Sequence, residues 1–123
     1  NSPCGIITYS GLRDVHLNGI CAIPNSDGKK IPFVGKSLFL QLFKMAKNYD
    51  AKSIRLEAVT DGPFNVIKKY EELGFKNEGC SKFGYIDMVS NKFNIDNQIK
   101  TLSKELEFTE LVAQKVDMDK FLA

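Results

Sequence analysis

Ser53-Ile54-Arg55-Leu56-Glu57-Ala58-Val59, the turn Asp61-Gly62-Pro63, and Phe64 to Phe75, ending Tyr70-Glu71-Glu72-Leu73-Gly74-Phe75, form the stretch on which the fold turns. Ile54, Leu56 and Ala58 alternate with Arg55, Glu57 and Val59, the period of a strand with one buried face. Pro63 suits the first position of a helix, where its missing N–H costs nothing. In that helix, Phe64 to Leu73, the side chains of Phe64, Ile67 and Tyr70 share a face, while Lys68, Lys69, Glu71 and Glu72 face water. Gly74 suits the left-handed position that ends a helix, and Phe75 starts an extended segment.

On the N-terminal side, Cys4 to Ser10 reads as a strand, Gly11 to Asp14 as a turn, and Val15 to Ile23 as a second strand, a pair able to form a hairpin. Pro24-Asn25-Ser26-Asp27-Gly28 marks a loop, which Lys29 to Gly35 continues. A long helix from about Gly35 to Asn48 follows, with Leu38, Leu42, Met45, Ala46 and Tyr49 at helical spacing and Phe39 and Phe43 widening the apolar face. On the C-terminal side, Phe75 to Lys82 and Phe83 to Val89 read as a closing strand pair. Ile95, Ile99, Leu102 and Leu106 mark one amphipathic helix, and Phe108, Leu111, Val112, Val116 and Phe121 suggest a second. The order strand, strand, helix, strand, helix, strand, strand predicts a mixed α/β sheet. Residues 1–93 are expected to form the core, and 94–123 a helical extension packed on it or on a partner.

The totals narrow the function. The 123 residues suit one domain, and 43% hydrophobic and 26% charged residues are ordinary for a globular chain. Net charge is +2 and Arg13 and Arg55 are the only arginines, which disfavours base reading in nucleic acid. No 18-residue apolar run predicts a membrane span, and no leader is visible, although the chain opens on Asn1 without Met. Cys4, Cys21 and Cys80 are odd in number and include no CxxC pair, which predicts neither a disulfide framework nor a zinc site, and a reducing cytoplasmic setting. His16 is the only histidine, so no metal site is expected. His16 and Cys21 are five residues apart, so a regular strand would put them on opposite faces.

The strand, the helix and the Tyr-Glu-Glu-Leu-Gly-Phe ending resemble the second half of a GNAT-type N-acetyltransferase core, over about Val15 to Val89. The resemblance implies a mixed GNAT-like central sheet, a long helix after a phosphate-binding loop, a second short helix, a closing strand pair and extra C-terminal helices. It implies acetyl-coenzyme A as co-substrate and direct acetyl transfer to the amine of a small molecule or protein. The family's tyrosine lies beside the coenzyme's sulfur, which makes Tyr70 the donor to the departing thiolate. The family often uses a strand Glu or a water relay as base, so Glu57 and His16 are the candidates. Cys21-Ala22-Ile23-Pro24 resembles the family's strand ending, so the backbone at Ala22 and Ile23 would hold the pantetheine arm. In the family's Gln/Arg-x-x-Gly-x-Gly/Ala loop, Lys30 takes the basic position, Phe33 the first glycine and Gly35 the second. Lys30, Phe33, Val34, Gly35, Lys36 and Ser37 would then hold the pyrophosphate, with Asn65 close to the asparagine that often starts the family's next helix.

Other readings stay open. Phe33 stands where the pattern has glycine, and the family's first strand and helices have no counterpart upstream of Cys4. Both features suit a catalytically degenerate relative, a binding or assembly module of a larger protein. Gly35-Lys36-Ser37 also fits the end of a nucleotide-binding Gly-x-x-x-x-Gly-Lys-Ser/Thr loop, although Lys30 stands at its opening glycine. A loop that only caps a helix, with Lys29, Lys30 and Lys36 exposed, is the plainest reading. A homodimer, or docking through the C-terminal helices, is the expected form of association, with neither nucleic acid nor membrane as a partner.

Overall fold

The computed structural model describes residues 5–22, 34–60 and 66–122, with side chains placed except at 22, 81–82 and 108–122. Strands β1 (Gly5–Ser10) and β2 (Asp14–Ala22) form the expected hairpin. Helix α1 (Val34–Asn48) leads to β3 (Ser53–Val59), then α2 (Val66–Glu72), the hairpin β4 (Lys76–Lys82) and β5 (Tyr85–Asn91), and α3 (Lys92–Leu122). The sheet order is β1-β2-β3-β5-β4. All neighbours are antiparallel except β2 and β3, which the helix α1 connects as a parallel pair.

Burial follows the alternation read from β3: Ile54, Leu56 and Ala58 are buried, while Arg55, Glu57 and Val59 are exposed. The buried set joins Val15, Leu17 and Met88 of the sheet to Phe39, Leu42, Phe43 and Ala46 of α1, Phe75, and Ile95 and Leu102 of α3. Among the described residues the three helices thus pack on one face of the sheet. The opposite, open face carries His16, Arg55, Glu57, Val59, Tyr85 and Asp87, placed together by register.

The tail differs from the two helices expected: it is one helix of 31 residues. The shift in its apolar stripe near Phe108 does not interrupt it, because no glycine or proline lies between Lys92 and Leu122. Its start is capped by Asn91, whose Oδ1 accepts from the Asn94 N–H at 2.9 Å. It runs antiparallel to α1, with Lys47 beside Asp96 (3.4 Å) and Lys36 beside Glu105 (2.7 Å). The second helix is described from Val66 rather than Phe64; Phe64 lies outside the described residues. No helix among the described residues is long and apolar enough to cross a membrane.

Candidate active site

The parallel contact between β2 and β3 is short. It comprises Asp14–Ser53, Val15–Ile54 and His16–Arg55 and goes no further. Beyond it, β2 continues to Ala22 against β1, and β3 continues to Val59 against β5. The cause lies in the hairpin register: Tyr9 faces Leu17 but Thr8 faces Gly19, so Asn18 is an extra residue in β2. A bulge of this kind bends its strand and increases the local twist. The sheet therefore splits after His16, leaving the facing edges of 17–22 and 56–59 without a ladder between them. Backbone donors and acceptors along such edges are available to a ligand.

The bulge also corrects the expected facing of His16 and Cys21. Ser10 pairs with His16 and Ile6 with Cys21, four residues apart on the regular partner strand, so both side chains share the open face. Four residues of strand still separate them by about 13 Å, too far for a nucleophile–base pair.

His16 and Glu57, read separately as candidate bases, are brought together at the head of the split. His16 Nε2 lies 3.9 Å from Glu57 Oε1, both partly exposed. On its other side, His16 Nδ1 is 2.9 Å from Asn18 Oδ1. An amide oxygen only accepts, so the tautomer that suits this contact carries its proton on Nδ1, and in it Nε2 can accept a proton on the Glu57 side. Asn18 was not singled out from the sequence, because a bulge depends on the partner strand and leaves no local pattern. Asp87 was missed too. It lies directly across from Glu57, a register visible only once β3 and β5 pair. Arg55, next on that face, is engaged by Glu78 at 2.8 Å.

Tyr70 lies on the helical face, held by the ending that suggested the fold. Gly74 has φ 86°, the Phe75 N–H donates to the Tyr70 carbonyl at 3.0 Å, and the Gly74 N–H donates to the Glu71 carbonyl at 2.9 Å. This is a Schellman cap, and its usual apolar contact is the edge-on packing of Tyr70 against Phe75, centroids 6.1 Å apart. Phe39 of α1 meets the same tyrosine at 5.9 Å. Burial among these rings raises the Tyr70 pKa above its ordinary value, so the phenol keeps its proton.

Of the remaining expected site residues, Ala22 ends β2, and Val34, Gly35, Lys36 and Ser37 form the first turn of α1. Val34 is buried, with its Cγ1 against Gly5, so only its backbone faces the helix end. Lys36 bonds Glu105. Ile23, Lys30, Phe33 and Asn65 lie outside the described residues. Among the described residues no three His, Cys, Asp or Glu side chains converge as metal ligands.

Neither a protein-family model nor a curated protein sequence matches the chain. Solved structures do. An acetyltransferase from Bacillus subtilis in complex with CoA superposes with a TM-score of 0.56 at 15% identity, over 74% of this chain and 70% of that one. The ribosomal-protein-S18-alanine N-acetyltransferase from Escherichia coli gives 0.56 at 18% identity, over 72% of this chain and 61% of that one. Nourseothricin acetyltransferase gives 0.51 at 21% identity, over 71% of this chain and 55% of that one. The chain therefore spans less than two thirds of the length of the last two. It has the mixed α/β fold of the GNAT acetyltransferases, as its strand–helix–glycine ending implied.

Proposed function

We propose that this chain binds acetyl-coenzyme A in the split between β2 and β3 and catalyses direct acetyl transfer to an amine. The observation that carries the reading is the two-sided split itself. The strand edges beyond the short ladder do not pair with each other, the His16–Glu57 pair stands at the head of the split on the open face, and Tyr70, a phenol whose burial keeps its proton on, is on the helical face. The first turn of α1 adds backbone N–H groups and the positive end of a 15-residue helix, which suit the pyrophosphate.

The chemistry divides between the two faces. An alkylammonium with a pKa near ~10.4 must lose a proton before it can attack. His16 Nε2, with Glu57 beside it, accepts that proton on the open face. The amine nitrogen then bonds to the thioester carbonyl carbon, and a backbone N–H on the split edge of β2 stabilises the developing oxyanion. The carbon–sulfur bond breaks, the new amide nitrogen sheds its remaining extra proton to solvent, and Tyr70 gives its proton to the departing thiolate from the helical side and regains one from solvent. A second reading, a degenerate module that binds without turnover, is favoured by Phe33 at the loop's first glycine position.

Calorimetric titration with acetyl-coenzyme A, paralleled by ATP–magnesium, tests the proposal, followed by transfer assays on Tyr70→Phe. Binding of acetyl-coenzyme A alone, with turnover lost and affinity kept in Tyr70→Phe, is expected. Binding without turnover on any amine selects the degenerate module, and binding of ATP alone selects the nucleotide loop.

A further inference from the structure

We infer, on the basis of the acetyl-transfer reading, that the acceptor is a polypeptide whose reacting amine is followed by an apolar side chain, laid along the ends of β3 and β5. Moving from Glu57 to Val59 along β3, the residue across the ladder changes from Asp87 to Tyr85. The chain then turns through Phe83 and Gly84, and the Thr60 N–H donates to the Gly84 carbonyl at 3.0 Å. One step along the strand thus takes the surface from carboxylates to apolar groups. Val59 is 42% exposed, Tyr85 39% and Phe83 101%, so apolar surface of three large side chains is exposed at one strand end.

Charge and length identify the occupant. Glu57 and Asp87 are like charges directly opposed on one face, an arrangement unfavourable by itself and complementary to an incoming ammonium. Arg55 does not relieve them, since Glu78 engages it. Glu57 and Val59 are about 7 Å apart along the strand, and the turn at Phe83 carries the apolar strip further. That distance suits an amine and the side chain of the next residue in an extended polypeptide. The amine end would meet the carboxylates and His16, and the next side chain would meet Val59, Tyr85 and Phe83.

The test compares short peptides with a free terminal amine followed by Leu or Phe against those followed by Ser or Asp, with ethanolamine as a small polar amine. The apolar peptides are expected to show kcat/KM about tenfold higher. Phe83→Ala, which removes no packing, should erase that preference and leave acetyl-coenzyme A affinity and ethanolamine turnover unchanged. No preference in the intact protein, or a preference that survives both Phe83→Ala and Tyr85→Ser, overturns the inference. If acetyl-coenzyme A does not bind, the acetyl-transfer reading falls. Fluorescence anisotropy of a labelled Leu-bearing peptide then judges the strip by itself: binding lost in Phe83→Ala supports it, while undiminished or absent binding overturns it.

Discussion

His16 has a neighbour at each ring nitrogen, Asn18 at Nδ1 and Glu57 at Nε2, and in the proposed reaction His16 and Glu57 work as one base. Replacing either His16 or Glu57 by Gln should lower kcat by about a hundredfold, and the double variant should lose little more. Steady-state rates of the single and double variants check this; independent losses that multiply would separate the two residues. Tyr70 carries a different signature. Its phenol is neutral in both folded and unfolded chains below about pH 10. Above that, the unfolded chain ionises first, because burial raises the folded pKa, so this contribution to stability falls as pH rises through the folded value. Urea unfolding at pH 9 and pH 11 should show a smaller alkaline loss in Tyr70→Phe than in the intact protein.

Two glycines govern how helices seat against the sheet. Gly74 adopts φ 86°, where a Cβ would also meet Gln98 Nε2 at 3.2 Å. Gly74→Ala should cost about 1–2 kcal/mol in chemical denaturation and loosen the cap that fixes Tyr70. Gly5 admits α1 close to β1: a Cβ there would stand 2.6 Å from Val34 Cγ1 and 2.9 Å from Leu38 Cδ1. Gly5→Ala should destabilise the fold by about 1–3 kcal/mol and, by displacing the first turn of α1, weaken coenzyme A binding, both measurable on one purified variant. The Gly74 stop was legible in the sequence because it is local, as were the alternation of β3 and most of the apolar face of α1, although Tyr49, expected on that face, follows the helix end and is exposed, and Leu40 is buried in its place. The bulge at Asn18 was not, because an extra residue exists only relative to β1. Nor was the pairing of Glu57 with His16 or Asp87, which depends on strand order. The tail reads as two helices from the sequence because a change in apolar spacing looks like a break when only that spacing is followed.

Among the described residues one core joins the sheet, α1 and the first turns of α3, and the partly buried Val66, Ile67 and Tyr70 of α2 pack against it. Ile95 and Leu102 are 1% and 2% exposed and lie in the same cluster as Phe43 and Ile54. Leu102→Ala should cost about 2–5 kcal/mol and lower stability in a single transition followed by circular dichroism and tyrosine fluorescence. Glu105→Gln, which weakens the half-exposed bridge to Lys36, should change stability by less than about 1 kcal/mol. The half-zipped contact of β2 with β3 has a consequence for solvent isotope exchange. Inward amides of 14–16 and 53–55 sit in a closed ladder and should retain protium longest, whereas those of 17–22 and 56–59 that point into the split should take up deuterium early. A molecule wedged into that split would slow uptake at those positions first, so deuterium labelling maps its seat residue by residue without waiting for turnover.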